Sequence, residues 1–221
     1  MIAEELINHM VPPLKKTDDA HKAIVWMEEL RCKELPVVED MNFLGLVSEE
    51  LIIDANEIEK VIGEFEYLAT SCFVSRDTHL YNVIKIASDN KVQMVAVVDD
   101  EKKYMGIITV QDIVTAFAQS AAIQMPGGIL VLSMAQRDYS LAEISRLIEE
   151  NNVKVVNSTV KVDPLDQEMI RLTLKINTTD LNRIVATLER FGYKIIARFQ
   201  DTEVSNMDRE KIDMLFKYLE I

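Results

Sequence analysis

Breakers of regular structure are scarce: six glycines and five prolines among 221 residues leave little room for long flexible segments. Two cysteines, Cys32 and Cys72, form neither a metal-ligand spacing nor a disulfide framework. No apolar run approaches the length that crosses a bilayer. The opening MIAEELINHM carries two glutamates where a signal peptide needs positive charge. A cytoplasmic location with no membrane partner is therefore expected, with both thiols reduced. Positive charge is also in deficit, since 24 Lys and Arg face 37 Asp and Glu for a formal −13. That balance argues against nucleic acid as the main partner, yet it allows a small anion held locally at a helix N-terminus. Gly-rich phosphate loops, nucleophile elbows and metal-ligand clusters are missing, and His9, His21 and His79 stand apart without i,i+4 partners. Nothing in these absences argues for an enzyme, a required cofactor or a metal.

What the chain does contain is a repeat. Shifting by sixty positions lays TDDAHKAIVWM (17–27) on DTHLYNVIKIA (77–87), and LPVVED (35–40) on VAVVDD (95–100). One inserted residue in the following turn then brings GLVSEEL (45–51) onto GIITVQD (106–112). Each copy reads as helix, short valine-rich strand, acidic turn, aliphatic strand and second helix. Neither copy has enough apolar surface to fold comfortably alone, so the two are expected to pack as one domain. Residues 56–69, NEIEKVIGEFEYLA, read as an amphipathic linker helix with Ile58, Val61, Ile62, Phe65 and Leu68 inward.

The doubled motifs LPVVED…GLVSEEL and VAVVDD…GIITVQD resemble a CBS-domain pair, or Bateman module. The resemblance covers residues 1 to about 120, with copies expected at 1–60 and 61–125. Ala96 stands where the family usually has the proline that copy one keeps at Pro36. In nucleotide-binding members the closing motif is Gly-x-x-Thr/Ser-x-x-Asp, and its aspartate grips the ribose hydroxyls while its hydroxyl residue touches phosphate. Thr109 and Asp112 match this motif fully. The resemblance further implies Val74, Met94 and Val95 beside an adenine, and Arg76 as a phosphate contact. A carboxylate suits a vicinal diol because it accepts two hydrogen bonds, and a hydroxyl at a helix start lies near free N–H groups. Copy one has Leu51 at the aspartate's position, so it lacks the ribose anchor and is expected to be empty or structural.

Pro126-Gly127-Gly128 is the clearest breaker and a natural boundary. Beyond it the pattern is strand (129–133), helix (140–152), two alternating strands (153–162 and 168–177), helix (178–192) and strand (193–199). Ser140 and Glu143 are placed as a capping box, and Gly192 ends the second helix. A βαββαβ order gives a ferredoxin-like α+β fold, and residues 128–200 resemble an ACT domain. RNA-recognition domains share this topology but place stacking aromatics on central strands, which ILVLS and MIRLTLKI lack. The loop MAQRDYS (134–140) has no glycine where amino-acid-binding ACT domains usually do; Arg137 and Asp138 read as an ordinary solvated loop. Residues 206–221 read as an amphipathic C-terminal helix.

The order CBS–CBS–ACT is similar to acetoin-utilisation-type regulatory proteins. It implies a non-enzymatic cytoplasmic sensor, expected as a homodimer, that binds AMP, ATP or another adenosyl ligand at Thr109 and Asp112 and acts on a target protein. Two alternatives stay open. One is a ligand-free interaction module in which Thr109-x-x-Asp112 is only a helix cap. The other is a regulatory subunit answering to an amino acid through its ACT domain.

Overall fold

The sixty-residue period seen in the side chains is also a period of the backbone. In the computed structural model, which describes residues 1–55 and 59–200, helix α1 (Ala20–Leu30) and helix α3 (Leu80–Asn90) start and end at equivalent positions. A side chain caps each: Asp19 accepts from the Lys22 N–H at 2.7 Å, and His79 Nδ1 accepts from the Tyr81 N–H at 3.2 Å. Each ends on a left-handed residue, Arg31 and Lys91, both at φ 54°. Antiparallel strands follow, β1 (Glu34–Glu39) with β2 (Asn42–Ser48) and β4 (Met94–Val98) with β5 (Tyr104–Thr109). The two pairs share even their irregularity, at Val37/Val38 and at Val97/Val98. Helices α2 (Glu49–Ala55) and α4 (Val110–Ala118) close the copies. Strand β3 (Phe73–Ser75) lies parallel to β4, and its counterpart in copy one is a single parallel bridge from Leu14 to Val37.

The repeat runs further upstream than its side chains reveal, and there the chain crosses over. The lead-in to copy one pairs with copy two, through bridges Ile2–His79 and Asn8–Ile107. The lead-in to copy two pairs with copy one, through Asp19–Val61 and Leu46–Leu68. The cores are exchanged accordingly. Ala3 is buried among Leu46, Val83 and Ile107, while Ile62 and Phe65 are buried among Ala20, Met27 and Val47. Together the copies form one compact unit, Met1–Ala118.

This exchange corrects the linker helix. Residues 56–58 lie outside the described residues, but from 59 onward the segment holds only a 3-10 turn at Ile62–Glu64 and then an isolated bridge to β2 at Leu68. Ile62 and Phe65 are buried as the periodicity implied, whereas Val61 and Leu68 are 36% and 42% exposed. The reason is backbone bonding: Leu68 exchanges both its N–H and its C=O with Leu46 at 2.7 Å, so neither group is available to a helix. The opening segment is likewise a 3-10 turn, Ala3–Leu6, followed by the Asn8 N–H donating to the Ile107 carbonyl at 2.7 Å.

The second unit begins at Gln119. After a short helix α5 (Ala121–Gln124) come β6 (Gly128–Ala135), α6 (Leu141–Glu149), β7 (Val155–Val162), β8 (Met169–Ile176), α7 (Asn182–Arg190) and β9 (Lys194–Phe199). The sheet is antiparallel throughout in the order β7-β8-β6-β9, which is the ferredoxin-like arrangement. Strict alternation along β6 and β8 turns Leu130, Leu132, Leu172 and Leu174 onto Ile144, Leu147, Ile184 and Leu188 of the helices. Ser140 Oγ accepts from the Glu143 N–H at 3.3 Å, and Gly192, at φ 85°, ends α7. The helix expected at 206–221 lies outside the described residues. Among the described residues no helix is long and apolar enough to cross a membrane.

Candidate functional site

The turn from β5 into α4 is built as a reciprocal cap. Thr109 Oγ1 accepts from the Asp112 N–H at 3.1 Å, while Asp112 Oδ2 accepts from the Thr109 N–H at 2.9 Å and from its hydroxyl at 2.6 Å. A third group then joins from the crossed lead-in. Asn8 Nδ2 donates to Asp112 Oδ1 at 3.2 Å and to Oδ2 at 3.1 Å, and Asn8 Oδ1 accepts from the Met10 N–H at 2.8 Å. Copy one manages the same turn without a carboxylate, since Ser48 Oγ accepts from the Leu51 N–H at 3.1 Å.

Thr109 and Asp112 border a cavity of about 750 Å³, large enough for a nucleotide-sized molecule. Asn8, Arg31 and Gln93 supply further polar groups to it. Met10, Val11, Leu30 and Met94 give it apolar surface, and Cys32 also borders it. Its charged side chains are Arg31 and Asp112, one of each sign. Burial pushes the Cys32 thiol up from its ordinary range.

The equivalent region of copy one is a smaller cavity of about 490 Å³ with a different balance. Lys33 there faces Glu34, Glu49, Glu50 and Asp54, which disfavours an anion. Burial raises the Glu34 carboxyl above its ordinary range, against the pull of the Gln93 N–H that it accepts at 2.9 Å.

Of the residues proposed from sequence, Thr109, Asp112 and Met94 meet at the larger cavity. Val74, Val95 and Arg76 do not border it. Val74 and Val95 are 4% and 0% exposed and belong to the core around β4. Arg76 follows β3 and pairs with Asp100 at 3.4 Å on the surface. Asn8, Arg31 and Gln93 were not singled out by the motif. Arg31 carried one readable signal, a basic residue in the helix-to-strand turn of the opposite copy; Asn8 carried none, because its place depends on the crossover. In the second unit Arg137 and Asp138 pair with each other at 3.7 Å, and both are exposed.

Residues 65–119 match the CBS domain family model. Among solved structures, the chain is similar to a CBS domain pair/ACT domain protein from Thermotoga maritima (17% identity, 54% of this chain and 98% of that one, TM-score 0.49). It is similar to the CBS domains of a transcriptional regulator from Streptococcus pneumoniae (20% identity, 52% and 98%, TM-score 0.47). It is also similar to CBSX2 in complex with AMP (23% identity, 53% and 96%, TM-score 0.46), a protein of Arabidopsis thaliana.

Proposed function

We propose, for a chain whose residues 65–119 match the CBS domain family model, a non-enzymatic regulatory role in which the cavity at Asp112 takes an adenine nucleotide, AMP or ATP, or a related adenosyl ligand. The observation that carries this reading is a single cavity bordered by both Asp112 and Arg31, with Met10, Val11, Leu30 and Met94 giving it apolar surface. Each part suits one part of the ligand. The carboxylate accepts from the two ribose hydroxyls, and the guanidinium faces the phosphate. Met10, Val11, Leu30 and Met94 offer apolar and thioether contacts to the base, and Gln93 offers a hydrogen-bonding edge. Copy one has Leu51 for Asp112 and four carboxylates around one lysine, so a single nucleotide per chain is expected.

The βαββαβ order of the second unit supports an ACT-like module, with association into a homodimer and engagement of a target protein in the cytoplasm as the route by which ligand binding is read. Binding shifts such an assembly only through different affinity for its two arrangements. The exposed Arg137–Asp138 pair gives no support to amino-acid binding. One observation favours a second reading, a ligand-free interaction module: both oxygens of Asp112 already have partners within the chain.

A thermal-shift screen with AMP, ATP, a cyclic dinucleotide and S-adenosylmethionine separates the two. A ligand at a hundred times its Kd stabilises by about 2.7 kcal/mol, a rise of several degrees for a domain of this size. If none of the four moves the melting temperature, the sensor reading fails and the interaction module stands.

A further inference from the structure

Asp112 is the proposed anchor for two ribose hydroxyls, yet in this structure both of its oxygens are held by one side-chain amide. Asn8 Nδ2 lies 3.2 Å from Oδ1 and 3.1 Å from Oδ2. The amide cannot be turned the other way without loss. Its oxygen accepts from the Met10 N–H at 2.8 Å, and reversal would set that oxygen against a carboxylate. Oδ2 already takes the N–H and hydroxyl of Thr109. A vicinal diol that spans both oxygens must share Oδ2 with Thr109 and meets the Asn8 amide at each of them, so the diol and the amide seek the same places.

The repeat supplies an independent control. Asn8 bridges to Ile107 as Leu68 bridges to Leu46, which makes positions 8 and 68 equivalent. The copy with Leu51 in the aspartate's place therefore has Leu68 in the asparagine's place. Polar partners occur together in one copy and apolar ones together in the other. Backbone geometry does not require the asparagine, because Leu68 satisfies the same bridge at 2.7 Å.

We infer that the Asn8 side chain is a built-in competitor for the ligand's paired hydroxyls, which withdraws from Asp112 when a ribose binds and frees the Met10 N–H. This rests on the nucleotide reading above and adds its regulation. The backbone of the lead-in stays fixed by Asn8 N–H to Ile107, Ala3 N–H to Thr78 and Glu4 N–H to Arg76. Only the side chain and the turn at residues 8–10 need to move. Nucleotide binding thereby reaches the segment that ties the two copies together.

The test is calorimetric titration of AMP and of 2′-deoxy-AMP into the full chain and into N8A, N8L and D112A, with amide exchange at Met10 followed alongside. Removing the competitor is expected to tighten AMP binding about three- to tenfold in N8A. The gain is smaller for 2′-deoxy-AMP, which needs one oxygen, and AMP speeds exchange at Met10 in the unsubstituted chain. N8L carries the residue of position 68 and serves if N8A does not fold. AMP binding that needs Asp112 but is unchanged or weakened in both Asn8 variants overturns the competitor while leaving the site intact. AMP binding to none of the proteins overturns the site and the competitor together.

Discussion

At Asp112 a single carboxylate closes a helix cap and holds a distant side chain, and these contacts have a cost that needs no ligand to measure. Asp112→Ala removes the reciprocal half of the Thr109 cap and strands the Asn8 amide. It is expected to lower stability by about 1–2 kcal/mol in urea unfolding without nucleotide. Glu34 carries the opposite kind of burden. Its folded carboxyl sits above the ordinary 4.5 because it is partly buried. Below that value the carboxyl is protonated whether the chain is folded or not. As pH rises past it the unfolded chain ionises first, so native stability falls until the folded group ionises too. Glu34→Gln is therefore expected to melt higher than the unsubstituted chain at about pH 7, with the gap closing toward about pH 4. An unchanged gap across that range would show that ionisation of Glu34 is not what costs stability. The sequence made Asp112 and Thr109 readable because their spacing serves a local turn. Asn8 was hidden because the crossed lead-in, and not local spacing, brings it to the cavity, while Arg31 comes from the other copy's helix-to-strand turn and Gln93 lies one residue before Met94 outside the motif.

Among the elements, the crossed lead-ins explain the glycine that both copies share. A Cβ on Gly45 would stand 2.7 Å from Tyr67 Cβ and 2.8 Å from the Leu68 carbonyl oxygen; one on Gly106 would strike Ile7. In each copy, then, the glycine makes room for the chain arriving from the other copy's lead-in. Gly45, at φ 146°, is also in backbone territory that a side chain strains. Gly45→Ala is expected to cost about 1–3 kcal/mol by chemical denaturation, mainly by pushing the 67–68 segment off β2. A neutral result would mean that the lead-in yields easily. Helices α1, α3, α6 and α7 and the strand pairs were legible because caps, periodicity and turns all pointed the same way. The 59–69 segment was not, because its apolar spacing fits a helix while its backbone bonds belong to a strand of the other copy. Periodicity reports which side chains are buried, and Ile62 and Phe65 are; it does not report where the N–H and C=O groups go.

At the scale of the whole molecule, the first unit and the second have separate cores, the second centred on Leu130, Leu172, Leu174 and Ile148. Leu172 is fully buried there, and Leu172→Ala is expected to remove about 2–5 kcal/mol from that unit. Calorimetry should show one transition lowered while AMP binding by the first unit keeps its affinity; loss of both would mean that the units unfold together. The central claim is that Asp112 anchors an adenine nucleotide in the first unit. Its most direct test is titration of AMP into the full chain and into Asp112→Ala under conditions where both are folded. The account predicts saturable binding of one AMP per chain, weakened at least about tenfold by the substitution, as loss of a charge-assisted pair of hydrogen bonds requires. Equal affinity in the two proteins, or no binding to either, would contradict it.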